Sequence, residues 1–139
     1  MKSINVVAGV ILFDQKFLCV QRGVGKFDYI SKKFEFPGGK IEVDESPEEA
    51  LVREIQEELE KEISISQKLM VVDHTYPDFR LIMHAYLCST KDEHLKLTEH
   101  IDFKWLPVSE LNSLDWAAAD VPIVQKLIEL NANNQLSPG

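Results

Sequence analysis

At 139 residues, with 45% hydrophobic and 27% charged content, the chain reads as one soluble globular domain able to bury its own core. The net charge of −8 argues against a nucleic-acid polymer as partner, because a phosphate backbone rewards basic surfaces. A small anion that brings its own divalent cation stays compatible, since the metal neutralises local charge. No apolar run reaches membrane-spanning length and the N-terminus lacks a signal-peptide pattern, so the expected location is the cytoplasm, with no membrane partner.

Ile4 to Phe13 is an almost continuous apolar run rich in β-branched residues, the pattern of a central strand buried on both faces. Asp14-Gln15-Lys16 reads as a turn and Phe17 to Gln21 as a second strand, which together make a hairpin. Arg22 closes that strand, and Gly23 to Lys33 is a polar loop, expected to be mobile and near an active-site mouth. Pro37-Gly38-Gly39 reads as a tight turn whose missing side chains allow close backbone approach. Lys40 follows as a point charge that can reach a phosphate.

A helix is expected next. Ser46 suits its N-cap, Pro47 its first position, and Glu49 completes a capping box. With roughly 100° per residue, Leu51, Ile55 and Leu59 share a stripe, and Glu57 and Glu58 fall on either side of Glu54. A core-facing side therefore adjoins a flank of three carboxylates. That flank is either a solvated acidic face or a holder for a hard divalent cation such as Mg²⁺, which takes a few carboxylates plus substrate phosphates. Arg53 can clamp a carboxylate through its rigid fork, and Glu45 lies just before the cap.

Ile63 to Asp73 reads as strand, Tyr76-Pro77-Asp78 as turn, and Arg80 to Cys88 as strand, with Leu81, Met83, Ala85 and Leu87 on one face. Phe103 to Leu106 is a short strand, followed by a turn with one helical turn. A last helix is expected over Ala117 to Leu130, with Pro122 in its first turns. The domain is thus residues 1–131, with 132–139 as a frayed tail. Cys19 and Cys88 read as buried reduced thiols. The four histidines show no metal-ligand spacing and read as structural or surface residues.

Gly39, Glu45, Arg53-Glu54-Ile55-Gln56-Glu57-Glu58 resembles the Nudix box (Gly, five residues, Glu, seven residues, Arg-Glu, aliphatic, any residue, Glu-Glu), with every spacing kept. One ending departs. Glu60 and Lys61 stand where the family usually has Gly and an aliphatic, so the left-handed helix stop is missing and extra helix toward Glu62 is expected. Glu35-Phe36-Pro37-Gly38-Gly39-Lys40-Ile41-Glu42, Glu99 before Trp105, and Ala119-Asp120-Val121-Pro122 extend the resemblance to the MutT group over most of the chain. Asp120 departs from MutT itself, which carries Asn there, and resembles the (deoxy)cytidine triphosphate and oxidised-purine branches.

The resemblance implies an α/β fold, an α/β/α sandwich around a mixed β-sheet. It also implies Mg²⁺-dependent hydrolysis of a nucleoside triphosphate to monophosphate and pyrophosphate, with Mn²⁺ as the alternative ion. Implied metal ligands are Glu54, Glu57, Glu58 and the Gly39 carbonyl, with Glu99 also in the metal set. Either Glu54 or Glu99 would orient or deprotonate water. Arg53 would fix Glu54, Glu45 would support that network, and Lys40 and Arg22 would hold phosphates. Asp120 is either the base reader or a helix N-cap, and Phe36 and Phe79 either flank the base or belong to the core. Two other readings remain: a nucleoside diphosphate linked to another group as substrate (ADP-ribose or a dinucleoside polyphosphate), and a non-catalytic nucleotide-binding module. Monomer and homodimer are both compatible.

Overall fold

β1 (Ser3–Phe13) is the axis of a seven-stranded mixed sheet in the computed structural model, which describes residues 1–136 of the chain. β2 (Lys16–Gln21) returns antiparallel to it through a turn at Asp14 and Gln15, both in the left-handed region. β3 (Phe34–Glu35) and β7 (Asp102–Leu106) pair antiparallel with β2. β6 (Arg80–Ser89) runs parallel to β1 from Ser3↔Arg80 to Leu12↔Ser89, and β5 (Ser64–Thr75) closes the far edge antiparallel to β6.

The period of two in the strands divides the core between two faces. Ala8, Val10 and Leu12, with Phe17, Cys19, Met83, Ala85 and Leu87, pack with Ile123, Val124 and Leu127 of α2 (Val121–Ala132). Val7, Ile11, Leu18, Val20, Tyr86 and Cys88 pack with Leu51, Ile55 and Leu59 of α1 (Pro47–Leu59). The result is the expected α/β/α sandwich, and burial of each such side chain contributes about 1.5–3 kcal/mol. Both cysteines are free and buried, and burial pushes each thiol up to about 12. Among the described residues, no helix is long and apolar enough to cross a membrane.

α1 begins as its sequence requires. Ser46 Oγ accepts from Glu49 N at 3.1 Å, and Glu49 Oε1 accepts from Ser46 N at 2.9 Å. Its end corrects the expected extension toward Glu62. The helix stops at Leu59, and Glu60 itself takes the left-handed conformation (φ 49°, ψ 47°) that glycine normally supplies. Such a residue costs roughly 1–2 kcal/mol. What offsets it is visible downstream, where Lys61 turns inward and the 90–98 segment bonds the last helical carbonyls.

The Pro37-Gly38-Gly39 turn is also corrected. β4 (Gly38–Lys40) is a strand, antiparallel to β1 through Val6↔Lys40 and Ala8↔Gly38. Its glycines serve close approach. A Cβ on Gly38 would lie 1.9 Å from Val7 O, and one on Gly39 2.4 Å from the Glu54 carboxyl carbon.

The final helix starts later than expected. Ala118–Asp120 forms a 3₁₀ turn, and α2 begins at Val121. Ala119 N donates to Tyr76 Oη at 3.0 Å and Asp120 accepts from Phe36 N, so this segment is tied to the residues that follow β5 and β3 rather than to a helical ladder. Leu136 packs partly buried against the α2-side core; residues 137–139 of the expected tail lie outside the described residues.

Candidate active site

A cleft of about 480 Å³ opens along β1 and β4, within the range of small-molecule sites. Carboxylates stand at one end and apolar and aromatic side chains at the other. Of the three α1 carboxylates, Glu58 lines the cleft, while Glu54 packs against Gly39 of β4 and Glu57 turns to Arg53. The Glu54 carboxyl occupies the space a Gly39 side chain would fill, so the glycine backbone and this carboxylate share one surface.

Arg53 organises the carboxylates around it. Its Nε and Nη2 grip Glu45 at 2.7 and 2.9 Å, while Nη1 reaches Glu54 Oε1 at 3.0 Å and Glu57 Oε2 at 3.2 Å. Nη2 also donates to Lys40 O at 3.1 Å. This single guanidinium therefore joins β4, the loop before α1 and two turns of the helix. Its hydrogen bonds hold Glu45 down to about 2, and Glu45 in turn raises Arg53 above the ordinary arginine range.

Glu58 lies across from this network and is buried, at 9% exposure. Its Oε2 has no hydrogen-bond partner. Burial pushes its carboxyl up to about 9, reinforced by the charges of Glu54 and Glu99. Glu57 is drawn aside to Arg53 with 59% of its side chain exposed. Among the described residues, no three acidic, histidine or cysteine side chains form a ready metal cage. The donors nonetheless suit a hard divalent cation: oxygen ligands, a concentration of like charge, and one buried carboxylate oxygen lacking a partner. A cation here would offset the repulsion that raises Glu58.

The remaining predicted residues line the cleft. Lys40 and Arg22 both reach it, and Arg22 Nη1 donates to Glu35 Oε1 at 3.1 Å. Asp120 and Phe36 meet at the opposite end. Asp120 Oδ1 accepts from Phe36 N at 3.0 Å and makes no side-chain cap to α2, which corrects the N-cap alternative. Asp120 is buried, and desolvation, then the charge of Glu35, holds its carboxyl well above the usual range. Phe36 is core and wall together, stacking on Trp116 at 4.7 Å while its backbone bonds Asp120. Phe79 joins a ladder of rings with Phe27, Tyr29 and Tyr76, and Tyr29 Oη donates to Asp78 at 2.8 Å. The ladder ties the 23–33 loop over the cleft.

Two residues escaped the sequence reading. His100, expected to be structural or superficial, sits in the cleft wall with Nε2 3.0 Å from Glu35 Oε2. Glu35 binds both His100 and Arg22 and so links the two ends of the site. The available signal was position: Glu35 precedes Phe36, and His100 follows Glu99.

This combination of mixed sheet, glycine strand and Arg-clamped carboxylate helix defines a Nudix-type domain. Residues 4–127 match the NUDIX domain family, and the chain belongs to it. It is 35% identical over 134 residues to the CTP pyrophosphohydrolase of Escherichia coli K12, covering 95% of this chain and 96% of the relative. Against the 8-oxo-dGTP diphosphatase of the same organism it is 30% identical over 133 residues, covering 94% and 100%. The solution structure of the E. coli ORF135 protein is similar throughout, with a TM-score of 0.81 and 33% identity over 99% of this chain and 96% of that one.

Proposed function

We propose that the protein hydrolyses nucleoside triphosphates of the CTP or oxidised-purine type, 8-oxo-dGTP among them, to monophosphate and pyrophosphate. Mg²⁺ is the proposed cofactor, with Mn²⁺ as substitute, and the cytoplasm the proposed location, whose reducing conditions suit two buried free thiols. One observation carries the reading. Glu58 and Glu99 share a single cleft with Gly39, Lys40, Arg22 and a buried Asp120, an arrangement that would suit phosphates at one end and a base at the other.

The roles follow from chemistry. Glu54, Glu57, Glu58 and Glu99, with the Gly39 carbonyl, would hold the cation. When bound, it would supply charge neutralisation at the phosphates and a more acidic water. Arg53 fixes the Glu54 rotamer while Glu45 fixes Arg53. Lys40 and Arg22 orient the phosphates, which matters because phosphoryl transfer asks mostly for positioning and charge neutralisation. Glu54 or Glu99 takes the proton from the attacking water.

Asp120 reads the base as a neutral acid. One oxygen already accepts from Phe36 N, so its O–H is available to a ring-nitrogen or carbonyl acceptor. Asp120→Asn keeps one acceptor and one donor, and is expected to stay within a few-fold of wild-type kcat/KM at pH 7. Asp120→Ala leaves the Phe36 N–H unpaired, and a loss of about 10–100-fold in kcat/KM is expected. Steady-state kinetics of both variants check this, and equal losses would contradict a neutral Asp120.

A panel of nucleoside triphosphates, ADP-ribose and dinucleoside polyphosphates, assayed with Mg²⁺ for pyrophosphate and monophosphate, tests the activity. Pyrophosphate from a CTP-like or oxidised purine substrate is the expected outcome. Cleavage of linked diphosphates without pyrophosphate would replace this substrate class, and no turnover at all would remove the enzyme reading.

A further inference from the structure

Lys61 is a buried cation, with 3% of its side chain exposed, at the position where the box pattern carries an aliphatic residue. Its Nζ lies 3.0 Å from Asp92 Oδ1 and donates to His94 O at 2.6 Å. Asp92 Oδ1 also accepts from His94 N at 3.0 Å, so one carboxylate oxygen serves both the lysine and the loop backbone. Residues 90–98 contain no helix or strand, so such ties fix their path.

The same loop then closes on the C-terminus of α1. Lys96 N donates to Leu59 O at 2.9 Å. Thr98 donates to Glu58 O through both N, at 3.2 Å, and Oγ1, at 2.9 Å. Thr98 Oγ1 also lies 3.3 Å from Glu57 O. These carbonyls are ones that every helix end leaves without an internal partner. The next residue is Glu99, which lines the cleft together with Glu58.

We propose that Lys61 is a positioning residue for the reaction: by clamping the 90–98 loop to the end of α1, it sets where Glu99 stands relative to Glu58. The inference rests on the proposed nucleotide-hydrolase reading of the cleft. Lys61 lies outside the cleft lining and acts only through Asp92, His94 and the loop. Asp92 keeps 67% of its side chain in solvent, so water screens that side of the pair. Its consequence is local, in the placement of one acidic side chain.

Lys61→Met tests this, because an apolar side chain of similar length replaces a buried pair at little cost to folding. Free Mn²⁺ measured by electron paramagnetic resonance, steady-state kinetics and amide exchange are the readouts. Expected are about 10-fold weaker Mn²⁺ binding and about 10-fold lower kcat, an unchanged nucleotide KM, and faster exchange at the Lys96 and Thr98 amides. Asp92→Asn, which keeps Lys61 and the fold, should move the same quantities in the same direction by less. Wild-type Mn²⁺ affinity and kcat in both variants would overturn the proposal, as would losses that only track the unfolded fraction. A wild-type protein that neither binds Mn²⁺ nor turns over nucleotide would instead remove the parent reading.

Discussion

Glu58→Gln is expected to lower kcat about 10²–10³-fold while making the metal-free protein more stable. The two effects share one cause. Glu58 is buried beside Glu54 and Glu99, with an oxygen that no described residue satisfies. Its charge is useful to a cation and costly to the fold. Because the folded-state carboxyl sits at about 9 against an ordinary 4.5, the folded state binds the proton more tightly than the unfolded chain. The Glu58 contribution to stability without metal is therefore full below pH 4.5 and is lost as pH rises to 9, by up to about 1.4 kcal/mol per pH unit. Asp120, also raised, slopes the same way, whereas Glu45, lowered to about 2, acts only below 4.5. Thermal melts from pH 5 to 9 in a metal chelator check the slope. Glu58→Gln should flatten much of it, and excess Mg²⁺ should flatten it in the wild type. A variant that loses stability, or a wild type equally stable across that range, would contradict this account of Glu58.

The second large effect separates two adjacent glycines. Gly38→Ala should abolish or severely reduce folding, because its Cβ would lie 1.9 Å from Val7 O and 2.8 Å from Val7 C. Backbone atoms of the central strand cannot yield without opening the β1–β4 pair, and a cost above about 4 kcal/mol is expected. The Cβ of Gly39→Ala meets the Glu54 carboxyl first, at 2.4–2.7 Å, and a side-chain end can rotate away. That variant should fold with a loss of about 1 kcal/mol or less while kcat falls at least 10²-fold, since Glu54 is pushed from its place beside β4 and Arg53. Circular dichroism with steady-state kinetics distinguishes the pair. Similar behaviour of the two variants, whether both unfolded or both active, would mean that the glycines do not divide the work in this way.

Much of this was legible in the sequence because local patterns and long-range packing agree. The run from Ile4 to Phe13 reads as buried on both faces, and β1 is so from Val7 to Leu12, while Asn5 stays exposed. Ser46, Pro47 and Glu49 fix the start of α1 by local hydrogen bonds alone. What stayed hidden depends on partners distant in the chain. Gly38 and Gly39 look like a turn until Val7 and Glu54 lie against them. Glu60 and Lys61 look like more helix until Asp92 and His94 take the lysine. Asp120 fits a cap by its position, but Phe36, far away in sequence, claims its oxygen. His100 shows no ligand spacing, and only the sheet brings Glu35 to it. Even the carboxylate face was legible in membership but not in conformation, because Arg53 holds Glu57 away from Glu58.

The most direct measurement is hydrolysis of the best triphosphate in the panel in H₂¹⁸O with Mg²⁺, with products weighed by mass spectrometry for wild type and Glu58→Gln. The expected result is monophosphate and pyrophosphate in equal amounts, with one ¹⁸O taken up per triphosphate cleaved and almost no product from the variant. Release of inorganic phosphate with a nucleoside diphosphate, or undiminished turnover by Glu58→Gln, would contradict it.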